Sequence, residues 1–388
     1  MKYFLFLSTV LSFLFFGCRQ KSVQPLQVGI DSIVHKWVPD KRIAICDLKL
    51  IEKSGSDLLL KGESMVPEAK SEVMHYLRNK GVAITDSVLT LPDSIHLGKS
   101  WGLITLSIAN IRSKPSHSSE MITQAIMGTP VRLLKDGTGW ILIQTPDRYI
   151  GWTNKSAVQQ MSQAEINTWR HAGRKIFVGT EGNIFCDQQR TMVLSDLTAG
   201  AIVVNISETR SYTQVALPDG RTGFVARENW IDFSPWKDTV RLTGEGMIAC
   251  GKRMMGYPYL WGGASSKGMD CSGFVKTVCF LNGVILERDA SQQINHGVKV
   301  DVATGWDKLQ MGDLLFFGSK QPMRVTHVGM YIGEGEILHE SGSVHINSFD
   351  KNKGNYSEDL SSSLVGARRI IGMAQELGYM PVKGHPWY

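Results

Sequence analysis

The 388-residue sequence predicts a multidomain protein in which a C-terminal α+β domain follows two small β-barrels and a small N-terminal α+β unit. Three observations predict it. A loop rich in glycine and small polar residues runs into an apolar helical segment at Cys271, and strand-like segments carrying His327 and His339 follow. Upstream, Gly128, Trp140, Pro146-Asp147, Gly151 and Trp152 recur 72 positions later as Gly200, Tyr212, Pro218-Asp219, Gly223 and Phe224. Before that repeat, apolar runs such as Arg42-Ile-Ala-Ile-Cys-Asp-Leu alternate with a helix pattern.

Taken in chain order, Met1-Lys-Tyr and the largely apolar stretch from Phe4 to Phe16 precede Gly17-Cys18. This resembles a lipoprotein signal, with residues 1–17 removed and Cys18 lipidated as the first mature residue. Its 13 residues are too few to span a bilayer comfortably. Arg19-Gln-Lys carries no acidic run, so the expected location is the bacterial envelope, anchored to a membrane and facing the periplasm. Residues 18–98 form the α+β unit, with a helix from Pro67 to Asn79 started by the proline and ended near Gly81. No chemistry is assigned to it.

Residues 99–160 and 174–235 are the two barrels, each with short alternating strands and Pro-Asp or Asp-Gly turns. Residues 161–173, polar with Trp169, read as a connecting helix. The catalytic candidate spans 239–374, and 375–388 is a C-terminal tail. Within it Phe274, Val275, Val278, Phe280 and Leu281 define a buried helix starting near Cys271. A thiol at a helix N-terminus meets unpaired N–H groups and a dipole that favour thiolate and lower its pKa. The same N–H groups can hold an oxyanion.

His327 and His339 lie on two strand patterns joined by Gly333-Glu-Gly-Glu, a β-hairpin. With regular pairing the two histidines share a face only if the loop has an odd number of residues, so a loop of three or five is expected. Cys271, His327 and His339 then read as nucleophile, base and orienter. Either residue type alone is more often structural. A zinc site from the same three residues lacks an accompanying CxxC, HExxH or clustered carboxylate.

At Tyr259-Leu-Trp-Gly-Gly, Asp270-Cys-Ser-Gly, Arg288-Asp-Ala-Ser-Gln-Gln, Gly312-Asp-Leu-Leu-Phe-Phe, His327-Val-Gly-Met-Tyr-Ile-Gly and Ile337-Leu-His, the sequence resembles the NlpC family of bacterial cell-wall cysteine peptidases. The resemblance implies a papain-like catalytic fold, with Cys271 as nucleophile, His327 as general base and acid, and His339 fixing the His327 ring. It also implies an oxyanion or substrate contact at Tyr259, recognition of a free α-amine by Asp270 and Ser272, and pocket positions at Trp261 and Ser291. The Gly312 segment reads as scaffold. No metal or organic cofactor is required.

The repeats resemble bacterial SH3-like domains, the first through Ala109-Asn-Ile-Arg-Ser-Lys-Pro-Ser and Gly151-Trp152. In relatives that release dipeptides, the first such domain closes one end of the active site, which would bring Glu120 and Tyr149 to the substrate amine. The implied reaction is hydrolysis of the γ-D-glutamyl to L-diamino acid bond of peptidoglycan stem peptides, releasing L-Ala-γ-D-Glu from fragments with a free N-terminus. The other reading is a wall-anchoring lipoprotein whose peptidase-like domain is inert.

The charge balance supports no polyanion partner: 42 basic and 36 acidic residues are interspersed, for a net +6 without a basic run, so no nucleic acid is expected. Oligomeric state is not legible. Besides Cys18, five cysteines remain and cannot all pair. Cys46, Cys186, Cys250 and Cys279 lie in apolar runs and read as buried thiols, with a Cys250–Cys279 disulfide as the alternative.

Overall fold

The structure, a computed structural model, describes residues 23–52, 58–303 and 305–388; the leader and Cys18 lie outside the described residues. The chain divides into two units, one of residues 1–39 and 45–90, the other of residues 40–44 and 91–388.

In the first unit, strands Cys46–Glu52 and Leu58–Ser64 pair antiparallel, and Leu58–Ser64 pairs parallel with Ile84–Thr90. A parallel pair needs a crossover, and the helix Pro67–Asn79 supplies it, with proline in its first turn. Alternation puts Leu48, Leu50, Leu58 and Leu60 on one buried face of the sheet. Ala69, Val73 and Leu77 form the buried stripe of that helix, and Leu26, Ile30 and Val34 that of helix Val23–Trp37.

The 72-residue repeat emerges as two sheets of seven strands, from Trp101–Ile104 to Val158–Met161 and from Arg174–Phe177 to Trp230–Asp232. Numbering the strands of each copy one to seven, both sheets run in the order 7-1-4-5-6-2-3. The recurrence of Gly151 as Gly223 has one cause. A Cβ at Gly151 would stand 2.5 Å from Ile111, and one at Gly223 would stand 2.6 Å from Ile184, so each turn of sheet needs a bare backbone at the same crossing.

Between the sheets, helix Gln163–His171 starts at a capping box of Ser162 and Glu165 and buries Ile166 and Trp169. These join Trp101, Leu103, Ile176, Ile202, Phe233, Trp236, Ile285 and Val382 in a core drawn from both sheets and the C-terminal domain. The segment after residue 374 takes part: strand Tyr379–Pro381 pairs with Val284–Leu286. Lys276, on the helix that carries Cys271, meets the buried Asp147 of the first sheet at 2.7 Å.

The C-terminal domain has a six-stranded sheet in the order Val298–Val300, Leu364–Arg369, Leu314–Lys320, Met323–Gly333, Glu336–Ser341, Ser343–Ser348. Phe274, Val275 and Val278 of helix Cys271–Leu281 pack with Val328, Met330 and Leu338 of the histidine strands, each burial stabilising by about 1.5–3 kcal/mol. Leu314, Leu315, Phe316 and Phe317 are buried scaffold. Cys250 and Cys279 are buried free thiols and form no disulfide with each other; Cys46 is also buried, while Cys186 is only half-buried.

Candidate active site

The expected three- or five-residue hairpin loop is corrected by the structure. The turn has two residues, Glu334 at φ 52° and Gly335 at φ 70°, the positive pair that a type I′ turn requires. Two residues with regular pairing would put His327 and His339 on opposite faces. Pairing is not regular: Gly329 opposes His339, Met330 opposes Leu338 and Tyr331 opposes Ile337, but Gly333 opposes Glu336, leaving Ile332 as a bulge. The extra residue restores parity, and His327 Nε2 lies 2.9 Å from His339 Nδ1.

Asp270 caps the nucleophile helix by accepting from the Gly273 N–H at 2.8 Å, so Cys271 is the first helical residue. The N–H groups of Val328 and Ser272 approach its sulfur. Here the expected lowering of the thiol pKa is overturned. Burial pushes Cys271 up to about 11, helped by the Asp270 charge, and the N–H groups pull against this without winning. Burial also pushes His327 down to about 3, with His339 and His345 adding to it. Both groups are therefore neutral at pH 7, a state from which the thiol proton can pass to an imidazole as the sulfur attacks.

Arg288 organises the floor of the site. It is buried, and all five of its N–H donors have acceptors: Nε on Thr123 Oγ1, Nη1 on Asp270 Oδ1 and Ser272 Oγ, Nη2 on Asp270 Oδ2 and the Gly263 carbonyl. Burial works against its charge, and the Asp270 carboxylate more than offsets that. Asp270 in turn accepts from Arg288 twice, from Ser272, and from the Gly262 and Gly273 N–H groups. A carboxylate has about four lone-pair directions, so none is left for a substrate amine. The direct amine contact expected of Asp270 is thus replaced by a cap and an anchor for Arg288, and Ser272 is tied into the same network.

The first seven-stranded sheet delivers Glu120 and Tyr149 to this domain. Glu120 Oε1 accepts from Trp261 Nε1 at 2.9 Å, and the buried Tyr149 donates its hydroxyl to Asp289 Oδ2 at 2.9 Å. Gly262, at φ 75°, lies so close beneath strand Met121–Ile126 that a Cβ would stand 2.3 Å from the Met121 carbonyl oxygen. Gln124 Oε1 on that strand accepts from both Ala264 N–H and Ser265 Oγ. Tyr259 is partly exposed, and burial together with the nearby Cys271 and Asp270 pushes it up to about 12.

Sequence reasoning missed Arg42. Its Nη1 donates to Asp289 Oδ2 at 2.7 Å and to Ser291 Oγ at 2.9 Å, while Nε and Nη2 fork onto Asp40. Asp40 also holds Gln292 Nε2. Ser291 is therefore placed beside Asp289 and Tyr149 as a polar rim fastened by a residue 249 positions upstream. No local pattern marked Arg42. Arg288 and Asp289 stood inside a recognised motif, but nothing in it revealed the fork onto Asp270.

Glu340 was also missed. It is fully buried and, among the described residues, neither carboxylate oxygen has a hydrogen-bond partner. Burial, then the Asp270 charge, pushes it up to about 7 from 4.5. A raised carboxyl contributes stability that is complete below its unfolded value and is lost as pH rises through the folded one. Glu340→Gln, which cannot ionise, is therefore predicted to be more stable than the parent at pH 8 by about 3 kcal/mol, with the gap closing by pH 4.5. Urea denaturation at the two pH values tests this, and an equal gap at both would refute it.

Residues 256–364 match the sequence profile of the NlpC/P60 family, and residues 111–158 match that of the bacterial dipeptidyl-peptidase SH3 domain. Dipeptidyl-peptidase 6 of Lysinibacillus sphaericus is 29% identical over 279 residues, spanning 68% of this chain and 97% of the relative. A γ-D-glutamyl-L-lysine dipeptidyl-peptidase of Bacillus cereus is 34% identical over 266 residues, spanning 66% of this chain and 77% of the relative. The crystal structure of an NlpC/P60 family protein from Bacillus cereus superposes with a TM-score of 0.61 at 23% identity, over 70% of this chain and 100% of that one, which shows the shared fold. With a thiol at a helix start, a histidine pair across a hairpin and an SH3 domain against the same loop, this chain is a cysteine peptidase belonging to the NlpC/P60 family.

Proposed function

We propose that the protein hydrolyses the γ-D-glutamyl to L-diamino acid bond of peptidoglycan stem peptides and releases L-Ala-γ-D-Glu from fragments whose N-terminus is free. Cys271 attacks the amide carbon, helix N–H groups and Tyr259 receive the oxyanion, and His327 takes the thiol proton and returns it to the leaving amine. Water then cleaves the thioester. His339 orients His327. The names of the similar dipeptidyl-peptidases support this bond and this product.

One observation carries the dipeptide length: Glu120 and Tyr149, from the first barrel, meet Trp261 and Asp289 beside the nucleophile loop. A wall there stops a longer chain on the amine side. Glu120 and Asp289 supply carboxylates for an ammonium, and Trp261 and Ser291 line the same side. The N-terminal α+β unit and the second barrel, residues 174–235, act as scaffold in this reading. In this reading the enzyme belongs to the bacterial envelope, lipid-anchored through Cys18 and facing the periplasm, a location supported by the leader-like residues 1–17.

Blocking the amine tests the reading. N-acetylating L-Ala-γ-D-Glu-L-Lys is predicted to lower kcat/KM at least about 100-fold, since the acetylated peptide loses its charge and collides with the wall. Glu120→Gln should weaken binding of the free peptide and leave the acetylated one unchanged. Equal turnover of the free and acetylated peptides would exclude the proposal.

A further inference from the structure

The hydrogen-bond chain that begins at His327 does not stop at His339. His339 Nε2 lies 2.9 Å from Asn347 Oδ1, on the neighbouring strand Ser343–Ser348. Asn347 Nδ2 donates to the Asn355 carbonyl oxygen at 2.9 Å. A carbonyl can only accept, so that contact fixes which end of the amide is nitrogen and aims Oδ1 at the histidines. His345 Nε2 also stands 2.9 Å from that oxygen, while its Nδ1 faces the Ser343 carbonyl oxygen at 2.7 Å.

We infer that Asn347 is a positioning residue that sets the tautomer of the histidine relay, an inference resting on Cys271, His327 and His339 being the catalytic groups. Because Oδ1 accepts, His339 carries its proton on Nε2 and has a lone pair on Nδ1. That lone pair accepts from His327 Nε2–H at 2.9 Å. His327 then keeps a bare Nδ1, the nitrogen that receives the thiol proton. The direction of every bond in this chain follows from one carbonyl, that of Asn355. Without the amide oxygen, His339 is free to adopt the Nδ1–H tautomer, which would confront His327 Nε2 with a donor. His327 would then place its own proton on Nδ1 and could not act as base.

The test has two independent readouts. In the full-length Cys271→Ala protein with 15N-labelled histidine, long-range 1H–15N spectra at neutral pH are expected to show His339 protonated on Nε2 and bare on Nδ1. A protonated Nδ1 on a neutral His339 overturns the inference, whatever the variants do. Kinetically, Asn347→Ala is expected to lose on the order of 10- to 100-fold in kcat with KM within about twofold. Asn347→Asp keeps an acceptor, so it should recover much of that loss. It should also move the acid limb of the pH profile upward, because a carboxylate favours imidazolium. The titratable neighbours of His339 are His327 and His345 on the flanking strands, and Arg324 and Asp359 line the same groove.

A merely structural asparagine would lower activity in both variants and leave the limb in place. Full activity of Asn347→Ala would also overturn the inference. Should that variant fail to fold, the spectra and the aspartate variant still decide. Failure of the wider functional reading is seen separately, as turnover that survives Cys271→Ala.

Discussion

Cys271→Ala and His327→Ala are each expected to lower kcat on a free-amine stem tripeptide by about 10⁵-fold while leaving KM near its parent value. In the proposed mechanism the thiol forms the acyl bond, and the imidazole both removes its proton and protonates the leaving amine. Because the two act as a unit, the double variant should be scarcely worse than either single one. The electrostatics add a further mark. With burial holding His327 far below the ordinary histidine value of about 6.5, down to about 3, the base stays neutral through mild acid. Activity should therefore persist below pH 5 and fall only as His327 takes up a proton. Initial rates of dipeptide release across the pH range test both claims. A residual rate above about 1% in Cys271→Ala would remove the thiol from the mechanism.

The largest stability effect is expected at Arg288. Arg288→Met leaves the buried Asp270 carboxylate without its counter-ion and is predicted to cost about 3–5 kcal/mol. Lysine should not rescue it, since an ammonium cannot reproduce five donors in a fixed fork. The guanidinium also ties the barrel residue Thr123 to the nucleophile loop through Gly263, so the loss is expected to loosen the barrel from the loop as well. Adding Asp270→Asn to Arg288→Met should recover part of the deficit, because it removes the unpaired charge. Chemical denaturation of the three variants and the parent closes this cycle. A loss below about 1 kcal/mol for Arg288→Met would show that the pair is no better than a surface bridge.

Much of the site was readable locally. The change from a glycine-rich loop to an apolar run marks the helix that starts at Cys271. The repeat offset foretold two sheets, and they share one strand order. The connecting helix falls inside the polar stretch around Trp169, and the helix Pro67–Asn79 falls where its proline and the following glycine place it. Each of these rests on neighbours in sequence, which is where propensity and periodicity act.

The failures share the opposite property. A hairpin loop of three or five residues was the right argument from parity, but a bulge at Ile332 supplied the odd residue inside the strand, where composition leaves no sign of it. The thiol pKa was argued from the helix end alone, whereas desolvation depends on everything packed around the sulfur. Asp270 looked available for an amine until five donors were counted around it.

Local order along the chain therefore decides which side chains can do chemistry here: Cys271 at a helix start, and His327 and His339 on a hairpin. Tertiary structure alone decides what surrounds them. It brings Glu120 and Tyr149 from one barrel to Trp261 and Asp289, Arg42 from far upstream to Ser291, and Asn347 from the adjoining strand to His339. Chemical identity is carried by single residues and short spacings, but desolvation, charge balance and hydrogen-bond partners arise from contacts between distant segments that no local pattern records.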